Sequence, residues 1–355
     1  MKKTIGFCGA CIAFYIGAGF ATMQEVMQYE ASYGSRYWIV VLVTALVYIY
    51  TNISFATNGN ISKIERGGEI FSLYCGKKIG AFYDAFCAFF CYMCFIVMCG
   101  GANSTATEQW NLPNGVGAII LTIAVIATVI MDLDGILKVL NKIGPIIIVT
   151  ILAIAVISTL RPVEPFQSGL LKIDSGNYEI AQVGNNNPVA SGVSYAGFVI
   201  LWFAPFISEI GSKNKLGEVN KGMLLSAVAI FGTATICCIA LIANIDITWN
   251  VGLALAKKIN PLFAFFFAII IFLGIYTTAV PLLWAGIKKL SDITCFASKY
   301  KLITVCMGMI GCLTSCFFPY KGLLNFLYGL NGYMGFLLIV FMVVHDVKRL
   351  IKMNL

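Results

Sequence analysis

Four groups of residues have types and spacings able to do chemistry inside an apolar environment. The first is Ile16-Gly17-Ala18-Gly19-Phe20-Ala21-Thr22-Met23-Gln24-Glu25, which sets two glycines, a hydroxyl, an amide and a carboxylate within one apolar run. Glycine weakens a helix by about 1 kcal/mol relative to alanine. Backbone freed from helical bonding at membrane depth must be buried in protein or line a polar cavity. The second group is Trp202-Phe203-Ala204-Pro205-Phe206-Ile207-Ser208-Glu209, where a proline removes a backbone donor and a glutamate follows. The third is Thr277-Thr278, two adjacent hydroxyls deep in another apolar run. With carbonyls from a broken helix they offer a hard cation such as Na+ the oxygens it prefers, although threonines in membranes also bond back to the preceding turn. The fourth is the pair of CxxC spacings, Cys8 with Cys11 and Cys91 with Cys94. Both lie in apolar runs without histidine partners, so they read as buried free thiols, not as a metal or redox site.

Glu25 and Glu209 matter because a carboxylate inside a membrane is costly and marks ion, proton or substrate pathways. They are the candidate proton or gating groups, with Asp84 a more peripheral one. The sole histidine is His345, near the far end of the chain, which excludes a histidine proton relay. Plainer readings of the same residues are a helix packed closely through its glycines and an ordinary proline kink with a glutamate near the headgroups.

The elements that must hold these groups are membrane helices. With 59% hydrophobic and only 11% charged residues, the chain lacks the polar surface of a soluble globule and calls for a lipid bilayer. The net charge of +8 falls in short groups between apolar runs, which is membrane topology and not a nucleic-acid-binding face. Lys2 and Lys3 precede an apolar run too long for a signal peptide, which reads as an uncleaved first span. No phosphate-binding loop is present, so the expectation is neither an enzyme nor an ATP-driven pump, and no cofactor beyond a coupling Na+ or H+.

Apolar runs at 4–30, 37–57, 79–102, 114–131, 143–160, 191–211, 222–243, 259–286, 302–318 and 322–344 predict ten transmembrane helices. With both termini cytoplasmic, the outside connections keep only Arg36, Arg161, Lys172, Lys257, Lys258 and Lys321, while the inside ones hold the remaining Lys and Arg. Residues 58–78 predict an interfacial helix, 161–190 an external loop with a turn at Asn185–Pro188, and 252–258 an external helical lid. Ten spans divide into repeat one (1–160) and repeat two (191–344), joined by the external loop 161–190 and followed by a cytoplasmic tail, 345–355. Five spans per half invert the second half relative to the first. The paired interruptions then predict discontinuous helices 1 and 6, broken near residues 17–21 and 203–207.

The GAGFATMQE stretch, the TTAV element at 277–280, the LALAKKINPLF segment before it and the length resemble the YkvI-type bacterial membrane proteins, a branch of the amino acid–polyamine–organocation superfamily. The resemblance covers essentially the whole chain. It implies the LeuT-like five-plus-five inverted-repeat fold, with solute between spans one, three, six and eight. It further implies an ion site made by carbonyls near Gly17 and Phe20 with the hydroxyls of Thr277 and Thr278. Where the family usually has Gly, this chain has Met23, which leaves the local backbone path open.

Broken-helix ends present unpaired amides and carbonyls. A zwitterion is therefore expected against Gly17, Ala18, Gly19, Phe20, Ala21, Trp202, Phe203, Ala204 and Phe206, the aromatics forming apolar walls. The expected function is secondary active transport of a small organic solute, an amino acid or related zwitterion, across the plasma membrane, driven by sodium or protons. The alternative is a non-transporting sensor on the same fold, like spore-germination receptor subunits.

Overall fold

The computed structural model describes residues 2–130, 133–176, 178, 180–247, 251–291, 299–318 and 320–353. Met131 at the expected end of the fourth run, 248–250 in the external connection and 354–355 of the tail lie outside the described residues. All regular structure among those described is helical. The first expected span is divided into α1 (Lys2–Tyr15), α2 (Ala18–Ala21) and α3 (Gln24–Tyr29), followed by a 3-10 turn over Ala31–Arg36. The chain continues through α4 (Tyr37–Ser62), α5 (Glu69–Trp110), α6 (Val116–Ile130), α7 (Leu133–Leu160), α8 (Phe166–Asp174), α9 (Pro188–Lys213) and α10 (Leu216–Ile242). The last elements are α11 (Val251–Ile259), α12 (Pro261–Ser291), α13 (Tyr300–Phe317) and α14 (Tyr320–Met353).

Each expected apolar run falls on one or more of these helices. Among the described residues, six stretches are long and apolar enough to cross a membrane: Ala31–Ser62, Glu69–Trp110, Pro188–Lys213, Leu216–Ile242, Pro261–Leu290 and Tyr300–Phe317. Shorter apolar helices cover Lys3–Tyr15, Val116–Ile130 and Ile146–Leu160. Large apolar side chains such as Leu46, Phe89, Ile123 and Phe266 stay exposed on the outer surface, as lipid-facing positions require.

The inverted repeat shows in which helices touch. Exchanging the halves maps α1, α4, α5, α6 and α7 onto α9, α10, α12, α13 and α14. Under that exchange, α1 against α10 becomes α9 against α4, and both packings occur. So do α1 on α7 with α9 on α14, α5 on α14 with α12 on α7, and α5 on α6 with α12 on α13. The α4–α9 seam closes through small residues: a Cβ on Gly211 would strike the carbonyl of Ala56, and one on Gly59 that of Ser208.

The connections refine three expectations. Within 58–78, α4 runs on to Ser62, and after a turn a short helix from Glu69 is set off from the rest of α5 by non-helical backbone at Gly76 (φ 75, ψ 169). The 161–190 loop contains α8 as well as the expected turn, where Asn185 and Asn186 take φ of 50 and 62. Asn187 then caps α9, its side chain accepting from the amides of Val189 and Ala190, with Pro188 in the first turn. A helix, α11, forms where the lid is expected, and Lys258 at its end donates to the carbonyl of Arg161 and to Asn244. Burial lowers the pKa of that Lys258. Nearby, Tyr178 and Lys172 both hydrogen-bond Asp246 and hold its carboxyl below the usual carboxylate range.

Candidate functional site

The interruption after Tyr15 is built from three backbone departures. The Gly17 amide bonds the carbonyl of Tyr15 at 3.0 Å, a turn too tight for helix, and Ala18–Ala21 make a single helical turn. Met23 then sits at φ 59, ψ 10, the left-handed conformation that costs a side-chain-bearing residue roughly 1–2 kcal/mol. The path left open by Met23 is thus the one glycine would take without strain. Gly19 is required for a second reason. A Cβ there would overlap the Glu25 carboxyl, which folds back over the break.

Span eight closes this break. The Thr278 hydroxyl donates to the carbonyl of Ile16 at 2.8 Å, with the carbonyl of Ala13 at 3.5 Å and its own-turn Gly274 carbonyl at 3.2 Å. Thr277 bonds back only to Gly274, at 2.9 Å. The carbonyls named by the family resemblance are otherwise engaged: that of Gly17 accepts from Ala21 and that of Phe20 from Met23, both at 2.9 Å. The structure therefore joins Thr278 to the break through Ile16 and leaves Gly17, Phe20 and Thr277 in local turns.

Span six does not break. α9 continues from Pro188 to Lys213 through Pro205, so the interruption expected at 203–207 is corrected to a continuous helix. The reason is local. Pro205 cannot donate to the carbonyl of Leu201 four residues back, and the Cys87 thiol of α5 donates to that carbonyl instead, at 2.9 Å. Gly67 fits against the carbonyl of Pro205, and the Ser208 hydroxyl bonds the carbonyls of both.

The aromatic residues expected as walls divide into two sets. Trp202, Phe203 and Phe206 gather on Phe14 of α1, with ring centroids 6.4, 5.2 and 4.8 Å away. Phe20 reaches the group only through Tyr15, 5.8 Å from it and 6.4 Å from Phe203. Ala21 and Ala204 are buried in the same core, and Ala18 contributes backbone to α2. The indole N–H of Trp202 is buried with no acceptor among the described residues. Such an orphan donor calls for an explanation, and a ligand acceptor is one.

The carboxylates separate as well. Glu25 is buried, and Tyr195 of α9 donates to it at 3.0 Å. Glu209 lies at the other end of α9 in an ion pair with Lys213 at 2.5 Å, its side chain 27% exposed. Its charge is met by a neighbour at the helix end, so the reading of Glu209 as a carboxylate held among apolar residues does not carry over. Asp84 is paired with Lys289. At the end of α14, Asp346 is partly buried, which would raise its pKa, but hydrogen bonds from Ser54, Asn58 and His345 together with Arg349 carry it below the usual range.

Sequence reasoning missed Phe14, Tyr195 and Glu30. Tyr195 and Phe198 lie on one helical stripe with Trp202 and Phe206, a spacing that would have exposed Tyr195. Glu30 sits at the end of the first apolar run, where hydropathy gives no sign of burial, yet it is fully buried.

No protein-family model matches the chain, and no curated protein matches it in sequence. Solved structures match it in shape. MhsT in complex with L-phenylalanine is 17% identical, with 88% of this chain and 78% of that one covered and a TM-score of 0.59. Mhp1, a nucleobase-cation-symport-1 family transporter in a closed conformation with bromovinylhydantoin, is 13% identical, with 91% and 74% covered and a TM-score of 0.59. A mutant of the Eremococcus coleocola manganese transporter is 12% identical, with 97% and 76% covered and a TM-score of 0.58. The fold is the LeuT-like one. At these identities the likeness concerns fold alone, and what the site does is argued from its own residues.

Proposed function

We propose that the protein is a secondary active transporter of a small organic solute, an amino acid or related zwitterion, driven by a sodium or proton gradient across the plasma membrane, with both termini cytoplasmic. The observation that carries this is the interrupted α1, whose buried turns meet a hydroxyl of α12, while Phe14 just before the break packs on an aromatic cluster of α9. A static packing helix has no need of such an interruption, which here is kept at the cost of left-handed backbone at Met23. The solute amino and carboxylate groups would meet backbone of Gly17, Ala18, Gly19 and Ala21 and the indole N–H of Trp202. Phe20, Phe203, Ala204 and Phe206 would supply apolar contact.

For sodium, the oxygens of Thr277, Thr278 and the carbonyls near Gly17 and Phe20 form the candidate site, which requires the local turn bonds to yield to the ion. The GAGFATMQE and TTAV stretches favour the YkvI-type branch of the amino acid–polyamine–organocation superfamily as the family. The proposal also draws on what the neighbours are named as: one is bound to L-phenylalanine and two are called transporters.

The test is a thermal-stability screen of purified protein against single amino acids, with sodium or choline as cation. A ligand at a hundred times its Kd adds about 2.7 kcal/mol of apparent stability. Stabilisation by at least one amino acid, lost in Trp202→Ala and Phe203→Ala, is expected. A screen in which both variants keep the full wild-type response would remove the site from α9.

A further inference from the structure

Glu30 lies between α3 and the 3-10 turn, none of its surface is exposed, and neither carboxyl oxygen has a hydrogen-bond partner among the described residues. The titratable groups within electrostatic reach are Glu25 of α3, Tyr15 of α1, Tyr195 of α9, and Cys237 and Cys238 of α10. None of these is a cation. The cations on adjoining elements are engaged elsewhere: Arg36 with Asn186, Lys172 with Glu164 and Asp246, Lys257 with the carbonyl of Glu108, and Lys258 with Arg161 and Asn244. Nor do the described residues gather three or more His, Cys, Asp or Glu into a metal site.

An ionised carboxylate with no surface open to solvent and no counter-charge within reach would cost many kcal/mol, whereas the neutral acid costs only an unmade hydrogen bond. A proton, unlike a larger cation, needs no cavity and no set of ligands. We propose that Glu30 is a proton-binding site, neutral in the closed arrangement seen here and ionised when its segment lifts from α10 and water reaches it. The segment is bracketed by breaks in the helical backbone at Met23 (φ 59, ψ 10) and Gly34 (φ 52, ψ −125), the two points about which it would turn. The proton comes from water on the side to which Glu30 opens and returns to water on release, and no other bond changes. The coupling role rests on the transporter reading; the protonation does not.

Two measurements on the full chain in lipid separate them. Infrared spectroscopy at neutral pH should show the carbonyl stretch of a protonated carboxyl free of hydrogen bonds. It should vanish completely in Glu30→Gln, which keeps shape and neutrality and so folds, and persist in Glu25→Gln. Absence of the band from wild type, or its loss in Glu25→Gln but not in Glu30→Gln, overturns the proposal. Proteoliposomes enclosing a pH-sensitive dye and given a mixture of labelled amino acids then test coupling. Wild type should move protons with solute, and Glu30→Gln should move solute without protons. Wild-type uptake without proton movement, or unchanged proton movement in Glu30→Gln, overturns the coupling role. Wild type that takes up no amino acid sinks the transporter reading while the infrared band still decides the proton site.

Discussion

α1 and α9 occupy equivalent places in the two halves and both carry helix-weakening residues within an apolar run, yet α1 stops at Tyr15 while α9 runs unbroken from Pro188 to Lys213. The difference lies in what meets the freed backbone. At Pro205 a single donor is missing, and one thiol from α5 restores the balance at the orphaned carbonyl. After Tyr15 the departures are consecutive, and the freed carbonyl of Ile16 is met from far away in sequence, by Thr278 on α12. A lone proline is absorbed as packing, whereas a run of small residues backed by a distant hydroxyl becomes a lasting interruption of the helix.

The largest effect should come from Gly19→Ala. Its new Cβ collides with the Glu25 carboxyl, and overpacking costs about 1–3 kcal/mol, to which disturbance of the Tyr195 hydrogen bond adds about 1.5–3 kcal/mol. Gly17→Ala should be close to neutral, because its nearest neighbour is the flexible end of Met98 at 3.3 Å. Thermal unfolding of both variants checks the contrast, and equal losses would show that the break is merely a small-residue packing surface.

Next is Thr278→Val, which leaves the Ile16 carbonyl buried without its partner and should cost about 1–3 kcal/mol. Thr277→Val should cost less, since that hydroxyl serves only its own turn. The reverse order would place the α12–α1 link at the wrong threonine.

Left-handed Met23 gives a smaller test. Met23→Gly and Met23→Ala both empty a buried side chain, but only glycine relieves the backbone. The glycine variant should be more stable than the alanine variant by about 1 kcal/mol. The smallest effect concerns α9. Cys87→Ala should cost about 1 kcal/mol in wild type and nearly nothing with Pro205→Ala, whose restored N–H reclaims the carbonyl of Leu201. A double-mutant cycle reads this coupling directly, and zero coupling would leave the continuity of α9 unexplained.

The helical architecture was legible because hydropathy reports directly on its physical constraint, lipid around helices. Thr278 was legible because two adjacent hydroxyls, Thr277 and Thr278, interrupt an otherwise apolar run. The break at α9 was misread because Pro205 announces a missing donor, while the compensating Cys87 looks like any small apolar residue. Glu30 was missed because the edge of an apolar run is ambiguous: folding packs α10 against the elements on either side of it, and nothing local in the sequence says so.

The most direct test of the central claim is accumulation of labelled amino acids in proteoliposomes, with a sodium gradient and a pH gradient imposed separately. Uptake above equilibrium under at least one gradient, collapsed by the matching ionophore and reduced in Trp202→Ala, is the expected result. Ligand stabilisation without accumulation under either gradient would contradict transport and leave a sensor on the same fold.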